Sequence, residues 1–179
     1  MNWAYVHLLL NHIPVLGVGF GLLLMAVGMA RGSHDLKRAS LGVFVLVAIL
    51  AIPVYLTGEP AEEIVEHLPG VSEAAIEEHE EWALLALGCV EVLGLAALLE
   101  MLFTVPLRNL ASRIHTITLV LSLLATGMLF WTAVLGGRIH HAEIRSGPWM
   151  VRTGADSQVA PGKSGGDDEG IHEGREAIK

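Results

Sequence analysis

The stretch IPVLGVGFGLLLMAVGMA, residues 13–30, contains no charged or hydrogen-bonding side chain. A helix needs about 20 apolar residues, at about 1.5 Å each, to cross the hydrocarbon core of a bilayer. Four segments of the chain meet that requirement, and we predict membrane spans at residues 5–30, 39–57, 82–103 and 114–137. The sequence therefore predicts an all-α fold, an integral membrane four-helix bundle with up-down topology.

The composition agrees with a chain that lipid surrounds, because only 17% of the 179 residues are charged and 53% are hydrophobic. The formal net charge of −8 argues against nucleic acid as a partner, since no basic patch is present to neutralise phosphates. The single cysteine, Cys89, cannot form an intrachain disulfide, and the absence of a CxxCH motif excludes covalent c-type haem. Residues 146–179 are rich in glycine, serine and aspartate, which predicts a flexible, disordered tail after a transmembrane domain of residues 1–145.

Basic residues in the short connections predict the orientation, since such residues stay mainly on the cytoplasmic side. The connections after the first and third spans contain five of them: Arg31, Lys37, Arg38, Arg108 and Arg113. Three follow the fourth span: Arg138, Arg145 and Arg152. The long connection after the second span has none. We therefore expect a multi-pass protein of a bacterial inner (cytoplasmic) membrane, with both termini in the periplasm.

Most of the histidines gather at the predicted outer face of the bundle. Up-down threading brings five of them together from three spans: His7, His12, His79, His140 and His141. Any one of them alone is better explained as a boundary residue, because functional roles apply chiefly to ionisable groups within a span. Five on one face are harder to explain in that way. Neutral imidazole is the commonest metal ligand, and haem iron takes axial histidines, so the cluster predicts a cofactor site.

Spacing separates these histidines into candidates of unequal value. His7 and His12 are five residues apart, so on a regular helix their side chains diverge by about 140°. If the helix begins only near Pro14, a favoured first-turn residue, His12 can turn inward. His140 and His141 diverge by about 100°, so only one of them should face the bundle.

His140 is the better candidate of that last pair, because it shares a helical face with Ser122 and Thr126, and small hydroxyl residues mark contacts between membrane helices. We therefore predict His12, His79 and His140 as the main cofactor or metal ligands. His7 and His141 are the alternates.

Two further features of the spans have a simple and a functional interpretation. Gly17 and Gly21 form a GxxxG motif that suits close helix packing, and a porphyrin could use the same clearance; packing is the simpler interpretation. Glu91 lies near the middle of the third span, where an ionisable group is expensive and should face the interior. It is either protonated and satisfied by a hydroxyl of the fourth span or part of a proton path. Glu100, near the inner boundary, is interpreted as an interface residue.

The segment from Glu59 to Glu81 contains nine glutamates and no lysine or arginine. Its carboxylates and imidazoles could capture a metal, but a run of glutamates is more often a solvated face. Within it, SEAAIEEHEEW from Ser72 onward has strong helix formers and is expected to extend the third helix into water. No nucleophile with a base at recognisable spacing and no phosphate loop is present, so the sequence does not indicate an independent enzyme.

The motif HLLLNHIP, residues 7–14, resembles the opening motif of the "domain of unknown function 2231" family of bacterial membrane proteins. The pair Thr57-Gly58, His79, and the pair Gly136-Gly137 resemble its later landmarks in the right order. The chain departs from the family pattern at Leu8 and Ile13, where proline and a bulky aromatic residue are usual. Related domains occur fused to Rieske or cytochrome-type modules, so the resemblance implies electron-transfer chemistry.

These observations lead to one main hypothesis and two alternatives. The main hypothesis is a membrane electron-transfer subunit that binds b-type haem through outer-face histidines and meets a redox protein such as a cytochrome or Rieske protein. The first alternative is a membrane protein that binds or transports copper, zinc or iron. The second is a membrane anchor without a cofactor that holds a redox partner.

Overall fold

The structure, a computed structural model, describes residues 2–103 and 111–140, apart from the side chains of residues 111, 112 and 140. The described residues are largely helical, and no strand occurs among them. In chain order the helices are α1 (Trp3–Leu10), α2 (His12–Ala30), α3 (His34–Leu56), α4 (Gly58–Val65), α5 (Glu73–Phe103) and α6 (Ala111–His140). The predicted tail, residues 146–179, lies outside the described residues.

Four helical stretches are long and apolar enough to cross a membrane: Trp3–Ala30, His34–Val65, Glu73–Phe103 and Arg113–Ile139. The prediction of four apolar helices is therefore confirmed, and the fold is that of a multi-pass membrane bundle. The first two stretches are interrupted by a single residue each, Asn11 between α1 and α2 and Thr57 between α3 and α4. Both interruptions lie at the end of the bundle that contains the candidate site.

Local signals in the sequence explain where the helices begin and end. The Asn2 side chain accepts a hydrogen bond from the backbone of Tyr5 and caps α1, and Ser33 caps α3 in the same way through Leu36. Pro53 lies three residues before the end of α3, where it weakens the last turn. The helix therefore ends at Leu56 and leaves carbonyl groups in its last turn without the usual helical partner.

Small residues set the distances between the helices. α2 packs against α3 and α6, and α5 packs against the same two helices, so the four form a closed ring. Gly17 lies against Val47 and Gly21 against Phe44, so residue numbers rise along α2 as they fall along α3. The interpretation of the GxxxG motif as a packing surface is thus confirmed, because a side chain at Gly21 would collide with the Phe44 ring.

The core between the helices contains hydroxyl groups as well as apolar side chains. Phe44, Met25 and Leu93 are fully buried, and Ser40 is buried beside them with its hydroxyl donating to the Gly21 carbonyl at 2.7 Å. Large apolar side chains such as Leu123 instead face outward. This distribution suits a bundle in lipid, where outward leucines meet acyl chains and interior polar groups must find partners within the protein.

The glutamate-rich segment is more ordered than a solvated connection. Residues 58–65 form α4, which packs against α1, and α5 begins at Glu73, so the helical extension predicted from Ser72 is present. The carboxyl groups of Glu62 on α4 and Glu80 on α5 lie close enough to interact.

Candidate functional site

The last turn of α3 holds His7 at the end of the bundle where α3 meets α4. Its Nδ1 lies 3.1 Å from the carbonyl oxygen of Val54 and 3.0 Å from Oγ1 of Thr57. The Thr57 hydroxyl itself donates to the same Val54 carbonyl at 2.7 Å. A carbonyl can only accept, so Nδ1 of His7 carries the proton. The interruption after Pro53 thus creates the acceptor that orients this ring.

His79 is oriented by α6 in a matching way. Its Nδ1 donates to the carbonyl of Thr132 over 3.0 Å, and the side chain is half-buried. Gly136 makes this approach possible, because a Cβ atom at that position would lie 3.1 Å from Cε1 of the imidazole. A Cβ atom at Gly58 would lie 3.8 Å from Cε1 of His7, which is an ordinary van der Waals contact.

The two imidazoles lie close enough to interact electrostatically. With the Nδ1 proton committed to a carbonyl, the neutral ring of each keeps its lone pair on Nε2. Neither Nε2 has a hydrogen-bond partner among residues 2–103 and 111–140. A carbonyl that fixes the tautomer from behind is the usual support of a metal-ligating histidine, so His7 and His79 have the donor set of a two-imidazole site.

Of the other predicted ligands, only His12 has a side chain that the structure describes. His12 is exposed, and its Nδ1 bonds to the carbonyl of Leu8 in the preceding turn at 2.8 Å. The expectation that the helix begins only near Pro14 and lets His12 turn inward is not met, because the chain is already helical from Trp3 and the His12 side chain is exposed. His140 ends α6, one turn beyond Gly136, and His141 lies outside the described residues.

No group of three or more histidine, cysteine or acidic side chains suited to hold a metal ion occurs within the described part of the chain. His67 is exposed, and its ion pair is with its neighbour Glu66 at 3.3 Å. The described residues therefore bring together two imidazoles at this end, and a site with more protein ligands would need a contribution from outside them.

A second polar centre lies at the opposite end of the bundle and was missed by the sequence interpretation. Glu100 of α5 is 2% exposed, and its two carboxylate oxygens contact Nδ1 of His115 and the hydroxyl of Thr118, the latter at 2.6 Å. The prediction that Glu100 is an interface residue is therefore wrong. His34 and Lys37 of α3 are close enough to interact with His115 electrostatically. The sequence signal that could have indicated this centre was a glutamate and a histidine, Glu100 and His115, near the same membrane boundary on consecutive spans.

Glu91 belongs to neither centre. It lies twelve residues after His79, or about 18 Å along α5, and is only half-buried. Its Oε1 is buried without a hydrogen-bond partner among the described residues. The hydroxyls of Ser122 and Thr126, which could have satisfied it, bond to carbonyls of their own helix. The role of Glu91 in a proton path stays a prediction.

Aromatic residues lie next to the site formed by His7 and His79. The rings of Trp82 and Trp131 meet edge to face with centroids 6.3 Å apart. The guanidinium of Arg138 lies over Trp131, 5.5 Å from the ring centroid. Below the two tryptophans an apolar groove of about 520 Å³ opens between α5 and α6. Tryptophan collects at membrane interfaces, so these rings are consistent with a membrane boundary just below the candidate site.

The chain matched no protein-family model, no curated protein and no solved structure in the comparisons with known proteins.

Proposed function

We propose that the protein is a membrane electron-transfer subunit in which His7 and His79 hold a b-type haem at the outer end of the bundle. The observation that carries this proposal is that the two imidazole rings make matching hydrogen bonds. Each donates through Nδ1 to a backbone carbonyl of another helix and keeps Nε2 for a ligand bond. Haem, when bound, would supply reversible one-electron chemistry at this place.

The number of ligands supports haem over a metal ion held only by protein. A structural zinc site takes four protein ligands and a catalytic one takes three. A porphyrin supplies four nitrogens itself, so the iron needs only one or two axial histidines. Copper, zinc or iron bound directly is the alternative function, and it requires ligands in addition to His7 and His79.

The residues that carry the family resemblance also support the proposal. Thr57 and Gly58 lie against His7, and Gly136 lies against His79. These residues are far apart in the chain, yet each contacts one of the two imidazoles. The Thr57 hydroxyl helps to orient the His7 ring, and the absence of a side chain at Gly136 gives room for the His79 ring.

The proposal includes the finer features of the membrane arrangement. The helices cross a bacterial inner membrane up and down, with both termini in the periplasm and residues 146–179 as a flexible tail. The site then faces the periplasm, where a water-soluble redox protein such as a cytochrome or Rieske protein could exchange electrons with it. The glutamates of α4 and of the start of α5 surround this end and favour a partner with a basic surface.

The pigment content of the purified protein tests the proposal. With saturating haem supply, we expect a reduced-minus-oxidised spectrum with Soret and α bands. His7→Ala and His79→Ala should each lower the haem content at least tenfold, because each removes one of the two imidazoles that would hold the haem. Elemental analysis of the same samples measures copper, zinc and iron outside haem.

His12→Ala is the matched control, because it removes an imidazole from the same end without touching α3 or α6. Its spectrum should equal that of the parent protein. A colourless parent protein under saturating haem would overturn the haem proposal. Stoichiometric copper or zinc that is lost in the His79 variant would establish direct metal binding, and a colourless, metal-free protein that co-purifies with a redox partner would establish an anchor.

A further inference from the structure

The groove between α5 and α6 is long enough for one lipid chain. It is an open groove lined by Val120, Leu124, Gly127 and Met128 of α6 together with the two tryptophans, Trp82 and Trp131. From Val120 to Trp131 the helix rises by about 16 Å. Half of the hydrocarbon core of a bilayer is about 15 Å thick, so the groove has the length of an acyl chain in one leaflet.

Arg138 lies where the head group of such a lipid would be. It follows Trp131 by seven residues, nearly two full turns, so it occupies the same face of α6 about 10 Å farther out. The Nε atom is buried without a hydrogen-bond partner among residues 2–103 and 111–140. In that part of the chain Arg138 also has no acidic partner, although nine glutamates lie between residues 59 and 81. A phosphate would satisfy the charge of the half-buried guanidinium.

The glutamates at this end of the protein favour a lipid head group without net negative charge. Glu78 is exposed and precedes Trp82 by four residues, so it lies on the same face of α5 one turn above the groove. A lipid with net negative charge would meet repulsion from this end of the protein. A phosphoethanolamine head group has a phosphate for Arg138 and an ammonium for Glu78, so its charges are complementary to both residues.

We infer that the α5–α6 groove is a binding site for phosphatidylethanolamine, with one acyl chain below the two tryptophans and the phosphate at Arg138. The inference is independent of the proposed haem, because none of these residues orients His7 or His79 through its side chain. It assigns the groove a specific ligand rather than the general solvation that any membrane-facing surface receives.

Native mass spectrometry of the full-length protein in detergent tests the inference by titration with phosphatidylethanolamine and phosphatidylglycerol. We expect one retained phosphatidylethanolamine and clearly weaker binding of phosphatidylglycerol. Arg138→Gln should weaken phosphatidylethanolamine binding about tenfold, since it removes a charge-assisted hydrogen bond. Arg113→Gln, at an exposed position near the other end of α6, is the control and should bind as the parent does.

A second variant tests the acyl-chain part of the site without altering charge. A side chain at Gly127 would meet no protein atom within 4 Å, so Gly127→Leu fills the groove and leaves the packing intact. It should abolish the retained lipid, whereas Gly88→Leu on α5, also in open space, should not. Equal binding of the two lipids, or binding unaffected by both Arg138→Gln and Gly127→Leu, would overturn the inference. So would the retention of a different class of molecule in the groove.

Discussion

Replacing Glu100 by alanine should destabilise the bundle by about 3 kcal/mol, because breaking a buried pair leaves one partner without compensation. The carboxylate is 2% exposed and serves both His115 and Thr118. Without it, the buried imidazole of His115 loses its carboxylate partner, and the Thr118 hydroxyl keeps only the carbonyl of Ile114 on its own helix, at 3.2 Å. Reversible unfolding in detergent, followed by the loss of helical circular dichroism, measures the effect.

A double variant distinguishes the loss of the paired interaction from the loss of side-chain volume. The combined variant Glu100→Leu with His115→Leu replaces both partners by apolar groups and should be much less destabilised than Glu100→Ala, since no orphaned polar group remains. A loss of less than about 1 kcal/mol for Glu100→Ala would mean that the centre contributes no more than an ordinary hydrogen bond between membrane helices.

Replacing Gly94 by leucine should be about as damaging, with a loss of about 2 kcal/mol or more from overpacking. Even a single methyl group at this position would collide with Cβ of Ala48, which is fixed to the backbone of α3 and cannot rotate away. The helices α3 and α5 would have to separate along the middle of the bundle. The same unfolding measurement applies, and crosslinking between cysteines placed on the two helices would report the separation.

Gly88→Leu on the same helix is the matched comparison. A Cβ atom at position 88 meets nothing within 4 Å, so the substitution should be neutral or stabilise α5 by up to about 1 kcal/mol through better helix propensity. Equal losses at Gly88 and Gly94 would show that helix propensity or lipid exposure, and not the contact with Ala48, controls the response.

The spans could be predicted from the sequence because their signal is local. A run such as residues 13–30 has no alternative to burial in lipid, whatever its neighbours do. The second span was predicted to end at residue 57, and α3 does end at Leu56. The following α4 was missed because its glutamates suggested a solvated connection, whereas its buried side is provided by Ala61 and the contact with α1.

The candidate site depends on tertiary contacts, so its details were less predictable. That His7 and His79 lie at the same end of the bundle followed from helix order alone. Which of His7 and His12 faces inward depended on the contact of His7 with the Val54 carbonyl and the Thr57 hydroxyl, which no spacing rule reveals. The Glu100–His115 centre depended in the same way on the register between α5 and α6, because each residue taken alone resembles an ordinary boundary residue.

The length of α5 has a consequence for how the outer site is reached. Its 31 residues extend about 46 Å, while the hydrocarbon core of a bilayer is about 30 Å thick. The stretch from Trp82 to Leu99, with Glu91 as its one charged residue, accounts for about 27 Å of that length. The turns before Trp82 therefore extend beyond the hydrocarbon core, and His79 lies in this extension, about one turn from the tryptophan. We therefore expect the imidazole of His79 at the depth of the head groups and not in the hydrocarbon, within reach of a molecule that does not enter the membrane.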